Sequence, residues 1–197
     1  VLEHGILNGR DSHTASLELM QYLKNPQGLY NKIREKDGSF TYESPGRGVY
    51  RSPYKNAMRL AGTETNIEYH TADFERWQGL DFVVGQLVEL SNGHTLNGKP
   101  FTDMCDDLQG RYPKEFKFLP WHPQCRCHST PILATEKELD QIIEAQNRGL
   151  EIPKSQNRVE ALPGNFREWM RTNSGKMNNG KTIPYFIQEN AEIIFKK

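Results

Sequence analysis

Cysteine is scarce in this chain, with three residues in 197, and neither sign of charge is in surplus: 25 lysines and arginines stand against 25 aspartates and glutamates. Three thiols are too few for the disulfide framework of a small secreted scaffold. Balanced charge excludes a polybasic or polyacidic tail and argues against a dedicated nucleic-acid binder, whose phosphate contacts call for a basic excess. No apolar run approaches the roughly 18 residues of a membrane span, and the opening Val1-Leu-Glu-His4 has no signal-peptide pattern, so no membrane partner is expected. Nucleotide binding lacks support as well. Gly46-Arg-Gly48 has neither the Lys-Ser/Thr pair nor the preceding strand of a phosphate loop. An initiator methionine is also missing, which leads us to expect the central fragment of a longer protein.

What is present suits an ordered fold, with 36% hydrophobic and 25% charged residues. We expect an α+β chain, mainly helical, with a long central helix, a small antiparallel sheet and a cysteine-containing loop. Three regions are expected: an N-terminal helical segment (1–52), a central region (53–149), and a linker with a C-terminal helical segment (150–197). Asp11 to Lys24 reads as a helix, and Leu29, Tyr30 and Ile33 suggest a shorter one. The Asp37-Gly38 turn then leads into a brief strand at Ser39 to Tyr42. Residues 44–53 read as a loop. Pro53 can open a helix that runs to Gln78. On it, Ala57, Leu60, Ala61, Ile67 and Phe74 form the expected core stripe. A second stripe of Arg59, Thr63, Asn66, His70, Asp73 and Trp77 is either a wet face or a partly buried ladder. Gly62 weakens the helix interior and suggests a close backbone approach. Asp81 to Leu90 is the main strand, followed by a hairpin through Ser91 to Gly98. Glu136 to Arg148 is a helix between Thr135 and Gly149, with Leu139, Ile142 and Ile143 on its apolar face. A further helix at Asn165 to about Thr172, loops at 173–175 and 178–180, and a last helix from Pro184 to Phe195 complete the pattern.

Residues 99–128 have few periodic cues and hold all three cysteines, so something other than a regular element must hold them. Cys105, His122, Cys125 and Cys127 offer three thiolates and an imidazole, the donors of a tetrahedral structural zinc. Plain thiols packed in the core, or a disulfide involving Cys105, fit the same residues. A catalytic cysteine would need His122 or His128 as base. Asp103, Asp106 and Asp107 either ligate a hard cation or face water, and His94 reads as a turn residue. Glu64 and Glu68 are an i,i+4 pair for which salt bridging to Arg59 or another base is the economical role. Residues 101–110 carry three acids and no base, and 111–128 carry four bases and one acid. In that basic stretch Arg111, Lys114, Lys117 and Arg126 interleave with Tyr112, Phe116, Phe118 and Trp121. Such interleaving fits a surface that stacks single strands or meets an acidic partner, or else rings that anchor a loop while the bases face water.

Residues 59–128 resemble the minor head proteins related to the F protein of phage Mu and the head morphogenesis proteins of tailed phages. The likeness rests on Arg59-Leu-Ala-Gly-Thr63-Glu64-Thr-Asn66, Asp103-Met-Cys105 through Gly110, and His122-Pro-Gln-Cys125-Arg-Cys127. Gly48-Val-Tyr-Arg51 and Pro163-Gly-Asn-Phe-Arg-Glu-Trp169 extend it toward the form found in Bacteroides-type phages and prophages. Gly62 and Leu108 depart from the pattern, which often has Arg and a further Cys there. The resemblance implies a non-catalytic minor capsid module that associates with the portal and other head proteins in the virion or the procapsid assembling in the bacterial cytoplasm, with weak DNA contact. The competing class is a nuclease or transferase linked to a head protein.

Overall fold

Asp11 starts helix α1 (Ser12–Met20), its carboxylate accepting the Thr14 amide at 3.0 Å and so satisfying a donor that the first turn leaves open. In the computed structural model, residues 8–22, 32–34, 36–38, 40–42, 53–96, 98–179 and 183–196 are described. The chain divides into two compact units, 1–67 and 68–197, and its longest helix runs through the division. The architecture is α+β: a long helix, a small antiparallel sheet and a cysteine cluster.

In the first unit, buried Ser16 donates to His13 O at 2.6 Å and lies 2.8 Å from Met58 Sδ. Strand β1 (Lys32–Arg34) pairs antiparallel with β2 (Phe40–Tyr42), joined by the turn at Asp37-Gly38. Ile33 is therefore a strand residue, recruited by that turn, and not part of a short helix. Leu29, Tyr30 and the expected loop at 44–52 lie outside the described residues. Helix α2 (Pro53–Gln78) has the expected bounds. Its apolar stripe faces inward only in part. Ala57 and Ala61 are buried, but Leu60 is 40% exposed and Ile67 and Phe74 are half-buried. The second stripe is the partly buried ladder of its two alternatives: Thr63, His70 and Trp77, seven residues apart, are buried, and Arg59, Asn66 and Asp73 beside them are half-buried. The helix meets part of its own polar demand: Thr63 donates to Arg59 O at 2.6 Å, Arg59 to Asn56 Oδ1 at 3.2 Å, and Arg76 pairs with Asp73 at 2.8 Å. Glu64 is half-buried on the same turn. Gly62 marks no close approach, since a Cβ there would meet nothing within 4 Å.

In the second unit, β3 (Val83–Glu89) is the centre of a three-stranded antiparallel sheet. The hairpin β4 (Thr95–Leu96) and β5 (Lys99–Pro100) follows it in the chain, and then the short helix α3 (Met104–Leu108). Strands β6 (Gly110–Tyr112) and β7 (His128–Leu133) flank β3. Val83, Val84, Gln86 and Val88 are all buried, as a strand covered on both faces requires. Gly85 allows a close approach: a Cβ there would fall 2.7 Å from Val159 Cγ2, and the Val159 amide donates to Val84 O at 3.1 Å. The 150–164 crossing is thereby tied to the sheet.

Helix α4 (Glu136–Arg148) begins with a Thr135–Glu138 capping box and ends at left-handed Gly149. Ile142 and Ala145 are buried on it, but Ile143 is an exposed residue, so the inward stripe is narrower than the sequence offers. Helix α5 (Gly164–Asn179) is longer than expected and absorbs 173–175, where Asn173 donates to Trp169 O at 2.9 Å and Ser174 to Arg171 O at 2.9 Å within the helix. The last expected helix is two short ones, α6 (Tyr185–Gln188) and α7 (Ala191–Ile194), separated at Asn190. No helix among the described residues is long and apolar enough to cross a membrane.

Candidate metal centre

An irregular stretch from Asp103 to Cys127 needs partners for its backbone polar groups, and side chains from distant elements supply them. Buried Gln86 on β3 donates from Nε2 to Phe116 O, and to Pro113 O at 3.3 Å. Asn165, near the start of α5, donates to Asp107 O at 2.8 Å and Gln109 O at 2.7 Å. Asn190, 1% exposed, accepts the Lys117 amide at 2.6 Å and donates to Lys117 O at 2.8 Å and Phe186 O at 2.7 Å. Tyr112, Phe116, Phe118 and Trp121 are buried, and their rings pack with Phe166 and Phe186, with centroids between 4.5 and 6.4 Å apart. These rings are the core of the second unit.

Trp121 is 3% exposed, so it is not part of an exposed interaction surface: the ring is drawn inward by Phe118 and Phe186. The four bases expected beside it each reach a neighbouring segment. Lys114 Nζ donates to Leu80 O at 2.8 Å, Lys117 pairs with Glu189 at 3.1 Å, Arg111 donates to Asn157 O at 3.5 Å and Arg126 to Gly93 O at 2.8 Å. Burial lowers the pKa of Lys114 below that of an ordinary lysine.

The three cysteines are free thiols, all buried, and their sulfurs lie within 4.8 Å of one another. Cys105 enters from the first turn of α3, where Asp103 caps the helix and accepts the Cys105 amide at 2.8 Å. Cys125 follows a turn closed by its own amide donating to His122 O at 3.0 Å, and Cys127 leads into β7. Cys105 Sγ and Cys125 Sγ are 3.7 Å apart. Two sulfurs on a tetrahedral ion at 2.3 Å would be about 3.8 Å apart, so the pair already spans one edge of such a site. This is a three-cysteine cluster compatible with a structural metal site. The spacing of two between Cys125 and Cys127 does not prevent both from facing inward.

His122 sits at the side of this cluster. Its Nδ1 donates to Pro123 O at 2.9 Å, and its Nε2 is 3.1 Å from Cys105 Sγ and 3.2 Å from Asp103 Oδ2. His122 and Asp103 thus group with Cys105, and Cys105 is the member shared with Cys125 and Cys127. The three sulfurs are the set that fits a metal, and the His122 imidazole borders it through Cys105 alone, with Nδ1 held by a backbone carbonyl. Asp103 and His94 were not expected here. His94 Nε2 contacts Asp106 Oδ2 at 3.2 Å and Asp103 Oδ1 at 3.7 Å, and its ring stacks on Phe101. The Asp103 amide, with His94 second, holds the Asp106 carboxyl below its ordinary pKa. Asp107 is exposed.

Contacts from Cys105 and Cys127, then the amides of Cys127 and Trp121, stabilise the Cys125 thiolate and lower its pKa, while the same contacts from Cys125 and Cys127, together with burial, raise that of Cys105. His70 on α2 backs the cluster. It hydrogen-bonds the Cys127 backbone, contacts Ser129 Oγ at 3.4 Å and packs edge-on against Phe118, and burial lowers its pKa. Asp73 and Trp77 follow it on the same helix face. No protein-family model matches the chain, and no curated protein or solved structure matches it significantly.

Proposed function

We propose that the chain is a non-catalytic head-assembly module of the kind related to the phage Mu F protein, in which a zinc ion held by Cys105, Cys125 and Cys127 and completed by His122 clasps the 103–127 loop. One observation supports this most directly. Cys105, from one motif of the resemblance, lies 3.7 Å from Cys125 Sγ and 3.1 Å from His122 Nε2, both from the other motif and 20 and 17 residues away in the chain. A loop with so little regular structure gains folding free energy from an ion, and four protein donors around zinc leave no open position for a substrate. The expected partners are the portal and other head proteins, in the virion or the assembling procapsid. DNA contact would be weak, because the bases of the 111–126 stretch are engaged with Leu80, Glu189, Asn157 and Gly93.

The test is co-purification of the chain with its cognate portal, repeated with Arg111→Glu and Arg126→Glu, two exposed positions on the loop, while circular dichroism checks folding. Retention of the wild type and loss on charge reversal is the expected result. A wild type that retains no head component removes the proposal.

A further inference from the structure

Helices α5, α6 and α7 enclose a half-open groove of about 350 Å³, floored by Phe166, Met170, Ile187 and Ile194. Phe166, Met170 and Ser174 recur every four residues on α5, so the groove follows that helix for about 12 Å, at 1.5 Å per residue. Two further lining residues are open to solvent, Ile183 at 50% and Phe195 at 64% exposure. A small molecule seated in the groove would leave these rim side chains wet, whereas a protein segment lying along it would cover them.

Among the described residues that line it, the groove carries one charge. Arg167 lines it, and its guanidinium has no hydrogen bond or ion pair among the described residues. Its neighbour Glu168 is taken by Arg171, through Nε at 3.0 Å and Nη2 at 2.6 Å, with Thr172 as a further donor. The charge at 167 is left for a partner to meet. Among the described residues, helices and their connections form the walls, with no sheet edge to which an extended peptide could add, so an incoming segment must satisfy its own backbone.

From the apolar floor, the exposed rim and this cation, which no described residue pairs, we propose that the α5–α7 groove docks an acidic amphipathic helix of a partner protein, whose apolar face fills the groove and whose carboxylate pairs with Arg167. The proposal does not rest on the head-protein reading.

The test places p-benzoylphenylalanine at position 170 of the full chain, photo-crosslinks it in extract of the source cells, and maps the captured peptide by mass spectrometry. A synthetic peptide of the mapped segment is then titrated by fluorescence anisotropy. The expected segment is an amphipathic helix with at least one acid beside its apolar face, binding about tenfold more weakly to Arg167→Glu, with recovery when the peptide acid is changed to lysine. Capture of a second copy of this chain, capture of a basic or extended segment, absence of a crosslink, or a charge swap without recovery would each overturn it.

Discussion

Zinc should stabilise the second unit by an amount that depends on Cys125. The three sulfurs lie within 4.8 Å of one another, and the Cys105–Cys125 edge of 3.7 Å is within about 0.1 Å of the tetrahedral value, so little rearrangement opposes binding at that edge. Free zinc at 100 times its dissociation constant adds about 2.7 kcal/mol to the folded state. For a unit of this size that is a rise in Tm of about 10 °C. Cys125→Ala removes the sulfur on which two thiols and two amides converge, and the zinc-dependent rise should fall close to zero. Because the rise is measured within each variant, with zinc against chelator, any cost of the substitution to the apo fold cancels. Scanning calorimetry at fixed pH gives the shift, elemental analysis the stoichiometry, and cobalt substitution the donor set. His122→Ala should keep three-sulfur charge transfer while weakening affinity at least about tenfold. A wild type that binds no zinc, and whose melting neither zinc nor chelator moves, refutes the metal assignment.

Asn190→Ala should destabilise by about 2–4 kcal/mol, since it strips the Lys117 amide and carbonyl of their side-chain partner, and urea denaturation would measure it. A loss below about 0.5 kcal/mol would show that the loop needs no such pin. Glu138 has a pKa held down to about 2 by the Gln156 amide, then the Thr135 amide and the Ser155 hydroxyl. Its folded value lies below the ordinary 4.5, so its contribution is complete above pH 4.5 and is lost as pH falls toward 2. Glu138→Gln should therefore melt below wild type at pH 7, with the gap narrowing below pH 4.5, and a gap constant through that window would contradict the assignment.

Elements with chemical punctuation could be read directly from the sequence. Pro53, Thr135 and Gly149 mark ends that the structure reproduces, and the β-branched run within 81–90 is a strand over 83–89. The inward face of α2 was legible only as one of two alternatives for its polar stripe, beside an apolar stripe that the fold leaves half out. Leu60 and Ile67 weigh heavily in any hydrophobic pattern, whereas Thr63 and His70 go inward because hydrogen bonds and ring contacts cover their polarity. The three cysteines were recognisable as one site from their clustering. Asp103 and His94 were not, because an aspartate before a helix and a histidine after a turn have ordinary local roles, and only the folded chain brings them beside His122 and Asp106. The amides Gln86, Asn165 and Asn190 were equally hidden, because the loop carbonyls they reach between 107 and 117 lie 27 to 73 residues away.

The Asn190 pin also carries a consequence for biosynthesis. A ribosome must deliver residue 190 before Lys117 meets its partner, 73 positions earlier in the chain. Until then the cysteine segment is a tether without its clasp, and its thiols meet whatever metal or oxidant the compartment offers. Long-range closure of this kind is slow to form. For the proposed zinc clasp, the chemistry of that interval should bear on how much of each batch carries the metal.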